Sequence, residues 1–114
     1  MKKRNIIVDK SFIMAIEIVN LYKSLINTHS EYVMSKQILR SGTSVGANIR
    51  EAVAGFSKAD FKAKMSIAHK EASETEYWLE LLFKTDFLDE EHFTKIFTQV
   101  REVNKIISKI LISS

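Results

Sequence analysis

Residues 40–52 read RSGTSVGANIREA, with Gly42 and Gly46 set among serine, threonine and asparagine and close to Arg40 and Arg50. Such a stretch is either a loop that cradles phosphate or a helix whose small residues serve packing. The choice decides whether the chain reads as an enzyme. The glycine spacing matches neither the P-loop pattern nor G-x-G-x-x-G, and no strand precedes it. Wound at about 100° per residue, Met34, Ile38, Val45, Ile49 and Ala52 fall on one helix face. Gly42 and Gly46 flank that face as a G-x-x-x-G pair, where missing side chains let two backbones approach closely. Each glycine costs a helix about 1 kcal/mol relative to alanine, so close packing or contact with another copy has to compensate. On the other flank stand Gln37, Ser41, Ser44 and Asn48; Asn48 either fixes register against a single partner or sits at the water boundary. Opposite the apolar face, Lys36, Arg40 and Arg50 share a stripe with the small residues Thr43 and Ala47, so nothing bulky keeps a phosphate backbone from the charges.

The helical reading extends along the whole chain. Proline is absent and glycine occurs three times, so the two strongest breakers of regular structure are nearly missing. Helical periodicity predicts helices over about 9–27, 31–54, 58–85 and 90–112, joined by the short polar connections THS, GFS and DFLD. Ser30, Ser57 and Asp89 are suited to cap the second, third and fourth helices, and Gly55 to end the second in a left-handed conformation. Four helices with short loops make antiparallel neighbours. The expected fold is therefore all-α, an antiparallel up-down four-helix bundle forming one domain over residues 1–114.

Two stripes supply an ordinary bundle core. Phe61, Met65, Ala68, Ala72, Thr75, Leu79, Leu82 and Phe83 line the third helix; Phe93, Ile96, Phe97, Val100, Val103, Ile107, Ile110 and Leu111 line the fourth. Apolar residues are then left over. On the first helix, Phe12 to Ile26 spread over nearly two-thirds of the circumference, and Ile67, Trp78 and Leu81 form a second facet on the third. Large exposed apolar surface marks interfaces. The chain is thus expected to form a homo-oligomer, with Gly42, Gly46, Ile67, Trp78 and Leu81 at the contact and Trp78 as anchor.

Composition excludes several functions. With no cysteine, the chain has neither a disulfide framework nor a thiolate zinc site. No run approaches the roughly 20 apolar residues of a membrane span, and the N-terminal MKKRNIIVDKSF loses its apolar run at Asp9, unlike a signal peptide. A cytoplasmic location without membrane attachment is expected. Of the Glu-x-x-His pairs that build di-metal bundles, the nearest match is a single Asp89-x-x-His92, so no metal and no cofactor are expected. The acidic run EASETEYWLE reads as a solvated face or as salt-bridge partners for a neighbouring subunit's basic stripe, ahead of acid–base catalysis. No nucleophile motif is present, and an enzyme is not expected.

Charge comes in blocks. Residues 1–70 hold twelve Lys/Arg against five Asp/Glu, residues 71–91 one against eight, and residues 92–114 four against one. Such blocks suit contact with a polyanion or between copies. Lys36, Arg40 and Arg50 form the candidate nucleic-acid surface, extended by Lys58, Lys62 and the KKR run at residues 2–4.

One longer pattern resembles a known family. SKQILRSGTSVGANIREA followed by SKADFKAKMSIAHKEASETEYWLELL is similar to the bacterial four-helix-bundle proteins first noticed as products of intervening sequences in 23S rRNA genes. Gln37, Arg40, Ser44, Asn48, Ile49 and Glu51 match in order, then Asp60, Phe61, Ile67, Ala68, Glu71, Ser73 and Glu76. The chain departs from the pattern at Ala52-Val53, where many relatives have glycine. The resemblance implies a ring-like homopentamer. It also implies kinship in fold with the accessory variability determinant of diversity-generating retroelements, which binds nucleic acid and a reverse transcriptase through basic surface. The expected function is a non-enzymatic oligomer that binds RNA or DNA without base specificity. The alternative is an adaptor ring that docks a protein partner such as a reverse transcriptase.

Overall fold

The computed structural model describes residues 3–113, with side chains from Ile6 onward. The KKR run lies outside this description: Lys2 altogether, and Lys3 and Arg4 in their side chains. Four helices follow in order, α1 (Lys3–His29), α2 (Met34–Ala54), α3 (Lys58–Lys84) and α4 (Glu90–Ser113). They make a rod of 44 × 22 × 21 Å. Each helix packs on its two neighbours around a square. The contact is most extensive between α2 and α3 and least between α1 and α4, and the diagonal pairs do not meet.

The core follows the stripes. Ile7, Met14, Ile18, Leu21 and Leu25 of α1 are buried, as are Ile38, Val45, Ile49 and Ala52 of α2. From α3 come Met65, Ala68, Ala72, Leu79 and Leu82, and from α4 Ile96, Val100, Val103 and Ile107. Helix α1 begins a turn and a half before the predicted residue 9. Ile7 and Ser11 continue its buried stripe at four- and three-residue spacing, and Asp9 and Lys10 fall on the outer side of that stripe.

Two helix ends differ from expectation. Ser30 does not cap α2; it takes a left-handed conformation (φ 53°) that closes α1. The N-terminus of α2 is capped by Glu31, whose carboxylate accepts from the N–H groups of Val33, Met34 and Ser35 at 2.7–3.3 Å. A carboxylate suits the positive end of the helix dipole. Gly55 is extended (φ −70°, ψ 160°) and not left-handed. Its missing side chain makes room for Asp60, whose carboxylate occupies the space a Cβ would need. Ser57 and Asp89 cap as predicted, accepting from the N–H of Asp60 at 3.0 Å and of His92 at 2.8 Å. The N–H and ring of His92 hold the Asp89 carboxyl below its ordinary range.

Candidate nucleic-acid interface

Helix α2 carries both the glycine pair and the basic stripe, and the fold assigns their neighbours. Gly42 is buried, and a Cβ there would lie 2.8 Å from Ile18 Cγ2. Gly46 faces Ser11, whose Oγ would stand 3.4 Å from an added Cβ. Both glycines therefore serve the approach of α1 to α2 within one protomer. That corrects the expectation of an oligomer contact for Gly42, which presents no surface to another copy. The Gln37–Asn48 flank turns to α3, where buried Ser41 Oγ meets Thr75 Oγ1 at 2.9 Å. Asn48 is half-buried and donates to the Ser44 carbonyl of its own helix at 2.8 Å.

The basic stripe is not one continuous free surface. Arg40 donates to Glu71 at 3.1 Å and to Glu74, spanning the α2–α3 seam. Its hydrogen bond to Glu74 leads the causes that raise the guanidinium pKa further. Arg40 is therefore tied to α3 within the protomer, while its side chain stays 48% exposed. The same pairing answers the acidic run: Glu71 and Glu74 are held within the protomer, and Glu76 faces Arg101 and Asn104. Lys36, Lys58 and Lys62 are exposed, and no ion pair ties them to a carboxylate among the described residues. Arg50 is likewise unpaired with any carboxylate, and its guanidinium lies 4.9 Å from the Phe12 ring centre. Lys36 and Arg50 stand fourteen residues apart on one stripe, roughly 21 Å along the helix. Lys58 and Lys62 continue from the Arg50 end, because α3 starts there. Arg50 faces α1, whereas Lys58 and Lys62 share the side of α3 that carries His69 toward α4, so the four cations lie on different sides of the rod and do not converge on a point.

The second α3 facet is partly outward. Ile67 is exposed and Leu81 half-buried. Trp78 packs against the core, and its Nε1–H donates to Glu74 at 3.0 Å. That hydrogen bond, ahead of Arg40, lowers the Glu74 pKa. The exposed ring of this facet is Tyr77, at 58%, set edge-on to Trp78. Tyr77 is thus the more exposed ring of the facet, and Trp78 is half-buried beside it. On α1, Phe12, Ile13 and Ile16 are about half exposed.

Sequence reasoning missed two further features. Between α1 and α2 a groove is lined by Phe12, Ile16, Val19, Gly46 and Ala47, with Lys23 and Arg50 at its ends. Its residues were legible as apolar; the register that aligns them was not. Between α3 and α4, His69 Nδ1 meets Asn104 Oδ1 at 2.7 Å, and Asn104 Nδ2 donates to Ser73 at 3.3 Å. Because an amide oxygen only accepts, His69 carries its proton on Nδ1. No group of three or more metal-ligating side chains occurs among the described residues. No described helix is long and apolar enough to cross a membrane.

These features define a class: an antiparallel four-helix bundle with exposed, unpaired cations and uncovered apolar surface. The chain belongs to the 23S rRNA-intervening sequence protein family, whose family model matches residues 3–109. A solved structure, of a protein of unknown function from the S23 ribosomal protein family of Bacteroides thetaiotaomicron, is 55% identical, with a TM-score of 0.94. The match covers 96% of this chain and 98% of that one. Among curated proteins, none matches.

Proposed function

We propose that the protein is a non-catalytic, self-associating helical bundle of the cytoplasm that binds RNA or DNA through phosphate contacts. The observation that carries this reading is the set Lys36, Arg50, Lys58 and Lys62: exposed cations, none tied to a carboxylate among the described residues. Cations already neutralised within the fold, such as Arg40, release no counterions from a nucleic acid; free ones do. Binding is therefore expected to weaken steeply with salt, with a log–log slope of about −3 to −4 if all four engage. Fluorescence anisotropy of labelled RNA across a salt series measures it, on protein shown to be free of copurified nucleic acid. No binding at low salt, or an unchanged slope when the four cations are reversed to glutamate, overturns the reading.

Self-association is supported by Ile13 on α1 and by Ile67 and Tyr77 on α3, which stay exposed in the protomer. The same exposure favours a second reading, an adaptor that docks a protein partner. In that case a specific protein is retained after nuclease treatment, and charge reversal of the four cations leaves its capture unchanged.

A further inference from the structure

The groove between α1 and α2, about 660 Å³, combines two kinds of surface. Its floor is apolar, from Phe12, Ile16 and Val19, and its opposite wall is kept low by Gly46 and Ala47. Lys23 stands at one end and Arg50 at the other, and no Asp or Glu lines it. Phe12 and Lys23 are eleven residues apart, roughly 16 Å along α1. Phe12 is 51% exposed, with the Arg50 guanidinium over its ring.

A ligand that satisfies both surfaces has planar apolar faces and regularly spaced negative charge. Unpaired nucleotides have both, since every base offers a face that stacks on aromatic rings or guanidinium planes. A duplex has only the second: its base faces are already stacked inside, so the apolar floor adds nothing to its binding. A second copy of this chain suits the groove less. The apolar facet it would offer, on α3, has Glu71 and Glu74 already held by Arg40. Of the exposed, unpaired charges on that facet, Lys70 and Lys84 outnumber Glu80, so it would bring net positive charge to a positive groove.

We infer that this groove is a binding site for single-stranded nucleic acid: an unpaired base stacks on the Phe12–Arg50 pair, its own phosphate reaches Arg50, and a phosphate further along the strand reaches Lys23. The inference rests on the nucleic-acid reading above and sharpens it from any polyanion to unpaired strands. The test compares a labelled oligouridylate with a duplex of equal length by anisotropy at low salt. Wild type, Phe12→Ala, Phe12→Trp and the triple variant K36Q/K58Q/K62Q are titrated with each.

Loss of one stacking surface is expected to weaken single-strand binding about 5- to 160-fold, with duplex binding changed less than about twofold. Phe12→Trp should retain the single-strand affinity, because a larger ring preserves the stack. Helicity of Phe12→Ala by circular dichroism should match wild type, and its melting temperature should fall by only a few degrees, since about half of the ring is already in solvent. Equal losses for both ligands, or no loss for either, overturn the inference. If Phe12→Ala lowers the particle mass in light scattering, the groove is a contact between copies and the inference is likewise overturned. If wild type binds neither ligand, the general reading falls with it. If the triple variant loses affinity and Phe12→Ala keeps it, only the groove assignment falls.

Discussion

Gly42 and Gly46 share one sequence motif yet answer to different surroundings, and substitution separates them. At Gly42 a methyl group meets the branched carbons of Ile18 at 2.8–2.9 Å, which are fixed near the backbone and cannot swing away. Overpacking of about 1–3 kcal/mol opposes a gain in helix propensity of about 1 kcal/mol, so Gly42→Ala is expected to destabilise by up to about 2 kcal/mol. At Gly46 the nearest atom is 3.4 Å away, an ordinary contact, and Gly46→Ala is expected to stabilise by up to about 1 kcal/mol. Urea unfolding of both variants checks the order; equal effects would refute the packing argument. The glycine pair was legible in the sequence, but periodicity within one helix cannot say whether its flank meets the same chain or another. Arg40 was illegible for the same reason, because the carboxylates that hold it lie 31 and 34 residues away. Glu74 gives that network a pH signature. Hydrogen bonds from Trp78 and then Arg40 lower its pKa below the ordinary 4.5. A depressed folded-state pKa contributes stability above the unfolded value, and that stability is lost as pH falls through the folded one. The melting temperature should therefore drop as pH falls below about 4.5, and Trp78→Phe should flatten the drop.

At the scale of the helix, the interiors were legible and the ends less so. Interiors are governed by a period that repeats several times along each element, whereas an end depends on a few local hydrogen bonds. Ser57 and Asp89 follow the usual preference for short polar caps. At α2 that preference points to Ser30, but the chain has already turned left-handed there to close α1, and the longer Glu31 reaches three N–H groups instead. Those donors have no other acceptor within the first turn. Glu31→Ala is accordingly expected to cost about 1–2 kcal/mol, more than Ser30→Ala. Chemical denaturation of the two single variants measures the difference, and a larger cost at Ser30 would restore the cap predicted from sequence. The early start of α1 has a similar origin. Asp9 and Lys10 interrupt the apolar run in sequence without interrupting the buried stripe, since a helix places them on another side from Ile7 and Ser11.

For the whole molecule, few breakers, short connections and one apolar stripe per helix leave little choice but an up-down bundle, and the square arrangement of α1 to α4 follows. The charge blocks were legible as counts but not as partners. Of the eight acidic residues in the block, Glu71, Glu74 and Glu76 turn to α2 and α4 and the rest stay exposed, so Arg40 is held within the protomer while Lys36, Arg50, Lys58 and Lys62 have no carboxylate partner among the described residues. What the protomer does not use is its outer apolar surface. Ile13, Ile67 and Tyr77 are 54%, 41% and 58% exposed, on helices that do not touch each other. Two apolar patches on non-adjacent helices suit a contact in which one patch meets the other patch of the next copy, and such contacts close into rings when the rotation allows. Light scattering should therefore give a mass that is a multiple of the 13.1 kDa chain. Ile13→Glu and Ile67→Glu each spoil one patch and should each give small species with unchanged helicity. Mixing the two variants should restore a dimer, because each retains the patch its partner lacks. A wild-type mass of a single chain refutes the association. An Ile13→Glu or Ile67→Glu variant that keeps the full mass removes that helix from the contact.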